Sequence, residues 1–203
     1  MLVGLADSPH PTPLIEMTDV RAEIVAEVIR SRRTVGTFRP ELPPRETIAR
    51  ALDLACWAPN HKKTEPWRFH WLGPETATRI VELNARLVAE TKGEAAAETK
   101  RRQWSEVPGW LLVTCIKSDD PIRHEEDYAA CCCAVQNLML ALWSAGIASK
   151  WSTGGITRHA DFFALLDLDP GLHRVVGLIW YGYPQAVPEQ QRRPLSEVLR
   201  EWP

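Results

Sequence analysis

The sequence predicts an α+β fold in which helices pack on a small mixed β-sheet. Helical segments outnumber strands, and the short apolar runs typical of strands do not alternate regularly with helices. With 203 residues, 45% of them hydrophobic and 25% charged, the chain is long enough to form one domain with a hydrophobic core. We therefore expect a single domain over 16–203, preceded by an extended or disordered, proline-containing leader over 1–15.

The first half of the chain supplies helices and one strand. Apolar residues recur at helical spacing over 18–33, 44–57 and 76–89. Side chains alternate in character over 67–72, which predicts a strand. Residues 91–103 favour a helix by propensity but contain almost no large apolar side chain. We expect them to form an exposed, mobile segment, a candidate lid.

The second half contains two further strands, over 110–116 and 175–184, which are short apolar runs typical of buried strands. Between them, 127–145 is the longest apolar helix, and Gly146 is suited to end it. This helix is apolar on most sides, as is typical of a central core helix or a dimer interface. A shorter helix is expected over 158–168.

The composition excludes several classes of protein. A net charge of -2 favours neither nucleic acid nor an acidic membrane as a partner. No apolar run approaches the ~20 residues of a membrane-spanning helix, and residues 1–13 lack the features of a signal peptide. The consecutive cysteines Cys131 to Cys133 would point in different directions on a helix and cannot form one metal site. We expect reduced cysteines, a cytoplasmic protein and no bound metal.

Basic side chains cluster near both ends of the chain. Arg32, Arg33 and Thr34 end the first helix, and Arg192 and Arg193 lie in the tail. The planar fork of an arginine matches phosphate oxygens, and the threonine adds a hydroxyl group. The alternative is that cations at a helix C-terminus are stabilised by the helix dipole and bind no ligand.

Two prolines bracket a donor-rich loop, Pro59 to Pro66, which contains Asn60, His61 and Lys63. Each proline disfavours helix at the preceding residue, so the loop is held between fixed ends. Loops of this kind often contact ligands, although a solvated basic surface loop would have the same sequence. His61 has no second metal ligand at helical spacing.

A turn of small residues follows the long helix at Trp151-Ser152-Thr153-Gly154. Small side chains let backbone N–H groups approach a ligand closely, but an ordinary connection would have the same composition. No glycine-rich Rossmann or P-loop motif is present.

Taken together, the stretches 30–38, 58–70 and 146–155 resemble the FMN-dependent nitroreductase family. The family motifs are Arg-Arg-Ser followed by an aromatic residue, a loop ending in Gln-Pro-Trp, and Gly-hydrophobic-Gly followed by Trp and a small-residue turn. The similarity is greatest to a compact subgroup with an Ala-Pro-Asp/Asn-His-Lys loop. The departures from the family pattern are Thr34 for Ser, Glu65 for Gln and Ala148 for Gly.

The resemblance implies a set of FMN contacts. The basic clusters would hold the phosphate, the loop of a second subunit would cover the flavin, and a backbone N–H in the turn would donate to flavin N5. Many members also carry a lysine near the flavin pyrimidine where this chain has Gly36. The implied cofactor-binding residues are Arg32, Arg33, Thr34, Asn60, His61, Lys63, Trp151, Ser152, Thr153, Gly154, Arg192 and Arg193.

The resemblance also implies a function and an assembly. The protein would be a homodimer that uses NADH or NADPH to reduce nitroaromatics, quinones or related small electrophilic aromatics, in a ping-pong hydride mechanism through flavin N5. No side chain need act as a catalytic nucleophile or acid. The alternatives are a flavin enzyme of the same fold with other chemistry (flavin fragmentation, dehalogenation or dehydrogenation), a non-catalytic FMN-binding protein, and a helical interaction protein without cofactor.

Overall fold

The computed structural model describes residues 19–203, so the leader predicted over 1–15 lies outside the described residues. The chain divides into two units, Met1–Ser31 and Arg32–Pro203. The described part of the first unit is one helix, α1 (Asp19–Ser31). This helix exposes four large apolar side chains, Val20, Ile24, Val25 and Ile29.

The second unit is built on a four-stranded sheet with the strand order β1-β2-β4-β3. Its strands are β1 (Trp67–Leu72), β2 (Gly109–Ile116), β3 (Ala148–Ser152) and β4 (His173–Gly182). The expected α+β class is confirmed. All pairings between these four strands are antiparallel rather than mixed. A parallel pairing occurs at the isolated bridge between Thr34 and Ser149.

Helices cover both faces of this sheet. They are α2 (Arg45–Ala55), α3 (Pro74–Lys92), α4 (Glu94–Ser105), α5 (Pro121–Ser144) and α6 (Ala160–Leu165). Short 3₁₀ turns occur at His61–Lys63, Gly155–Arg158 and Leu195–Glu197. None of the helices among the described residues is long and apolar enough to cross a lipid bilayer.

The strand β2 is buried on both faces, which explains its continuous apolar sequence. Leu111 and Val113 belong to a core formed with α2 and α5. Trp110 and Leu112 belong to a second core, formed with α3, α4 and α6. The sheet therefore separates two hydrophobic layers, and the loops at its ends are left at the surface.

The helix α5 begins six residues earlier than the sequence predicts. The Asp120 carboxylate accepts hydrogen bonds from the backbone N–H groups of Ile122 (3.0 Å) and Arg123 (3.4 Å). Pro121 occupies the first helical position, where its missing N–H costs nothing. The polar residues from Pro121 to Glu126 therefore belong to the helix.

One other segment differs from expectation, and a second agrees with it. The sequence analysis does not predict the short strand β3, which pairs with β4 along its whole length. The segment over 91–103 forms most of α4, and α4 packs against α3 through the buried side chains of Ala97 and Trp104. A salt bridge from Arg101 to Glu82 joins the two helices. Both the helical propensity and the exposure expected for 91–103 are confirmed, since Ala97 is the one residue of that segment that is buried.

Candidate functional site

The Thr34–Ser149 bridge places the first basic cluster at the free edge of β3. The backbone N–H of Val35 donates to the Ser149 carbonyl oxygen over 3.2 Å, and Val35 is buried. This pairing fixes the backbone directly after Arg32 and Arg33. The Thr34 side chain is left exposed beside them.

The Arg32 guanidinium is half-buried, and its Nη1 atom finds no hydrogen-bond acceptor among the described residues. Burial, followed by repulsion from Arg192 and Arg33, lowers the pKa of Arg32. Like charges placed together around a buried donor raise the free energy of the cluster unless an anion is bound. The cluster therefore fits a phosphate group.

The structure treats the two arginines of the tail differently. Arg192 is close enough to Arg32 to lower the pKa of that arginine electrostatically. Both arginines are exposed, but Arg193 has no comparable electrostatic effect on Arg32. This electrostatic influence favours Arg192 over Arg193 as the partner of Arg32.

Lys150 was missed by the sequence analysis. Its ammonium lies 3.7 Å from the position that a Cβ atom on Gly36 would occupy, and 4.5 Å from the centroid of the Trp180 ring. No salt bridge neutralises Lys150 within residues 19–203. Burial, then repulsion from Lys100, lowers the pKa of Lys150. The strand β3 therefore places a cation beside Gly36, the position at which many family members carry a lysine.

The turn after β3 begins at an anchored side chain. Trp151 donates from its indole Nε1 to the Val176 carbonyl oxygen over 2.9 Å. A Cβ atom on Gly177 would lie 2.1 Å from that nitrogen, so only glycine leaves room for the indole. Ser152 ends β3, and the next two residues are exposed.

The backbone N–H groups of Thr153 and Gly154 donate to no acceptor among the described residues. The Gly154 carbonyl oxygen accepts from the Thr157 hydroxyl group (2.9 Å) and backbone N–H (3.0 Å), which holds the turn in place. Two exposed N–H donors on an anchored turn can bind an electron-rich ligand atom.

The Asn60 side chain is engaged within its own loop. Its Oδ1 atom accepts from the Glu65 backbone N–H over 2.7 Å, and its Nδ2 atom donates to the Thr64 hydroxyl oxygen over 3.1 Å. Lys62, Lys63 and Glu65 have φ angles of 63°, 52° and 45°, in the left-handed region. These bonds offset the cost of that backbone conformation.

The exposed His61 and Lys63 side chains project from the 3₁₀ turn of this loop. The Thr64 hydroxyl group ties the loop to α5 by donating to the carboxylate of the buried Asp127. The loop is therefore a braced element that presents basic side chains.

Replacing Thr64 with valine should lower the free energy of unfolding by about 1–3 kcal/mol, because the buried Asp127 carboxylate loses a donor. Urea unfolding followed by tryptophan fluorescence measures the change. The matched control is Thr99→Val, on the exposed surface of α4, which should change stability by no more than about 0.5 kcal/mol. Equal effects of the two substitutions would show that the Thr64 contact does not brace the loop.

The predicted site residues fall into two groups. The basic cluster, Lys150 and the turn over 151–154 lie along the β3 edge of the sheet. The loop over 59–65 directly precedes β1, at the opposite edge. Three strand spacings separate the two edges, roughly 14 Å. No hydrogen bond or salt bridge between described residues connects the loop with the arginine cluster.

Comparisons with known proteins agree with these motifs. A model described as "Nitroreductase family" matches residues 29–183. The "Putative NAD(P)H nitroreductase YfhC" of Bacillus subtilis (strain 168) is 31% identical over 183 residues, covering 88% of this chain and 94% of that protein.

Solved structures give the same picture. A nitroreductase-like family protein from Bacillus cereus has a TM-score of 0.77 at 29% identity, covering 88% of this chain and 95% of that chain. Oxidized iodotyrosine deiodinase bound to FMN and 3-iodo-L-tyrosine has a TM-score of 0.65 at 25% identity, covering 84% of this chain and 95% of that chain.

Proposed function

Because the chain belongs to the nitroreductase family, we propose that it is an FMN-dependent oxidoreductase that uses NADH or NADPH to reduce nitroaromatics, quinones or related small electrophilic aromatics. The observation that carries the proposal is the half-buried Arg32, whose Nη1 atom lacks an acceptor and which lies beside a second cation, Arg192. Such a pair calls for a doubly charged anion, and the phosphate of FMN supplies one.

The residues around β3 fit the remainder of FMN. We propose that Arg32, Arg33, Thr34 and Arg192 hold the phosphate, and that the Thr153 or Gly154 N–H donates to the ring. Bound FMN supplies the hydride chemistry, by which two electrons pass from NADH or NADPH to the acceptor in a ping-pong sequence. The protein orients the ring, excludes water and provides preorganised donors, so no side chain need act as an acid or a nucleophile.

Lys150 should raise the reduction potential of the bound cofactor, because a nearby positive charge favours the electron-rich reduced form. We expect Lys150→Met to lower the potential by on the order of tens of millivolts, where 30 mV corresponds to about 1.4 kcal/mol for two electrons. Spectroelectrochemical titration of the holoprotein measures this shift. Lys92→Met, at the exposed end of α3, is the control. An unchanged potential in the Lys150 variant would place its ammonium away from the cofactor.

We propose that the working unit is a homodimer with two FMN sites. The support is that the two groups of site residues lie at opposite edges of one sheet, so that the loop over 59–65 can complete the site of a second copy. Sedimentation velocity on the yellow holoprotein tests this proposal. A stable monomer that retains full flavin occupancy would contradict it. We also propose a cytoplasmic location, which the five free cysteines support.

The first experiment is a visible spectrum of the purified protein, followed by anaerobic addition of NADH and then NADPH. Flavin bands that bleach rapidly support the proposed function and identify the donor. Persistent bands favour other chemistry on the same fold or a non-catalytic flavoprotein, and dehalogenation then has a specific precedent in the similarity to iodotyrosine deiodinase. A folded protein without flavin bands after reconstitution with FMN would reject the proposal.

A further inference from the structure

A second polar cavity opens directly behind the turn after β3. It has a volume of about 380 Å³ and lies between α5, α6 and the first residues of β4. Thr153, whose backbone we assign to the flavin site, forms part of its wall. The other wall residues used below are Lys117, Tyr128, Arg158, His173 and Arg174. A molecule in this cavity would therefore adjoin the proposed cofactor site.

The cavity wall is basic. Lys117, Arg158, His173 and Arg174 all line it, and no carboxylate does so among the residues that the structure describes. None of these four side chains forms a salt bridge within residues 19–203. Cations gathered around a concave surface without a counter-charge create a positive potential that attracts anions.

Three of the four basic groups are held in place by neutral partners. Lys117 Nζ donates to the Pro170 carbonyl oxygen over 2.6 Å. The Arg174 guanidinium carbon lies 3.6 Å from the centroid of the Tyr128 ring. His173 Nδ1 lies 3.1 Å from the Thr114 hydroxyl oxygen. These contacts orient the three side chains, and they leave the charges of Lys117 and Arg174 uncompensated.

The fourth basic group, Arg158, is not held by a neutral partner in the described part of the chain. It is exposed at the end of the 3₁₀ turn Gly155–Arg158, and its guanidinium forms no hydrogen bond with any described residue. Its planar fork remains available for bidentate contact with an oxyanion. The neighbouring Tyr128 ring adds an aromatic surface.

A larger cavity between α3 and α4 provides a contrast. Its volume is about 770 Å³, and it also contains arginines, Arg86 and Arg101. There, carboxylates neutralise both of them: Glu90 and Asp161 pair with Arg86, while Glu82 and Glu98 pair with Arg101. Size and arginine content alone therefore do not indicate an anion site, whereas the uncompensated charge beside Thr153 favours one.

We propose that the cavity lined by Lys117, Arg158, His173 and Arg174 binds an oxyanion, phosphate or carboxylate, carried by a molecule that reacts at the cofactor. The anion would position that molecule while its reactive end lies beyond Thr153. The assignment to a reacting molecule rests on the proposed function, but the existence of an anion site does not. Two sources have the required chemistry: the phosphates of the dinucleotide donor and an acidic group on the aromatic acceptor.

Direct binding tests the site without catalysis. Inorganic pyrophosphate is titrated calorimetrically into the full chain carrying Arg32→Ala, so that the first basic cluster does not dominate binding. Adding Arg158→Ala should weaken binding about tenfold. Adding Arg79→Ala instead, on the exposed surface of α3, should change nothing. Equal affinity in the Arg158 and Arg79 variants would overturn the anion site, even if the protein proves to be a flavoenzyme.

Steady-state kinetics of the holoenzyme distinguish the two sources. If the donor phosphates bind here, Arg158→Ala raises KM for NADPH or NADH about tenfold and leaves 4-nitrobenzoate unaffected. If the acceptor binds here, KM rises for 4-nitrobenzoate but not for neutral 4-nitrobenzamide. Either pattern supports the proposal. Arg158→Lys, which keeps the positive charge, should raise the same KM by less than Arg158→Ala does. Unchanged KM values for all of these substrates would remove the link to a reacting molecule. Failure to bind FMN at all would instead reject the proposed function.

Discussion

Arg32→Ala should weaken FMN binding by about 1.5–3 kcal/mol, or roughly 10- to 100-fold. The reason is the unpartnered Nη1 of Arg32, which a phosphate oxygen would satisfy, next to the repulsion from Arg192 that the same phosphate would relieve. Quenching of FMN fluorescence during titration of apoprotein measures the dissociation constant. The FMN dissociation constant of Arg32→Lys should lie between those of the unmodified protein and of Arg32→Ala, because lysine keeps the charge but lacks the planar fork.

Riboflavin provides the sharpest control for this prediction, since it has the same ring but no phosphate. The Arg32→Ala variant should bind riboflavin as the unmodified protein does. An equal loss of affinity for FMN and for riboflavin would mean that Arg32 maintains the fold of the site instead of contacting the phosphate. Arg39→Ala, a nearby exposed arginine, controls for a general loss of positive charge.

Gly177→Ala should destabilise the protein by about 1–3 kcal/mol and weaken FMN binding at the same time. The added Cβ atom would lie 2.1 Å from the indole nitrogen of Trp151, so the ring must move and its hydrogen bond to Val176 must break. Because Trp151 is the first residue of the turn assigned to the flavin, movement of the indole should displace Thr153 and Gly154.

Thermal unfolding and FMN titration measure the two effects of Gly177→Ala. The matched control is Gly73→Ala, where the new Cβ atom would meet no atom within 4 Å. Combining Gly177→Ala with Trp151→Ala should give less destabilisation than the sum of the single changes, because the smaller side chain removes the clash. Strictly additive losses of stability would mean that a side chain at position 177 does not clash with the indole of Trp151.

The strands and helices with strong periodicity could be predicted because their burial repeats along the chain. The strand β2 is apolar at nearly every position since both of its faces are covered, and the run over 110–116 has that pattern. The strand β3 lacked such a signal. It has only five residues and includes Ser149 and Lys150, so its pairing with β4 depends on tertiary structure.

The candidate site was predictable where motifs are local and unpredictable where distant residues meet. Arg32 and the turn over 151–154 could be proposed from short stretches of sequence. Lys150 could not, because its proximity to Gly36 arises from the bridge between Thr34 and Ser149. The brace from Thr64 to Asp127 likewise joins residues far apart in the chain.

The left-handed residues of the loop over 59–65 restrict how its sequence can change over evolutionary time. At positions 62, 63 and 65, a β-branched side chain would clash with its own backbone, whereas glycine, asparagine and aspartate relieve or tolerate the conformation. We therefore expect β-branched residues to be disfavoured at these three positions, which hold lysine, lysine and glutamate here, for reasons that are independent of any ligand. His61 is not subject to this restriction, because its φ angle is not positive.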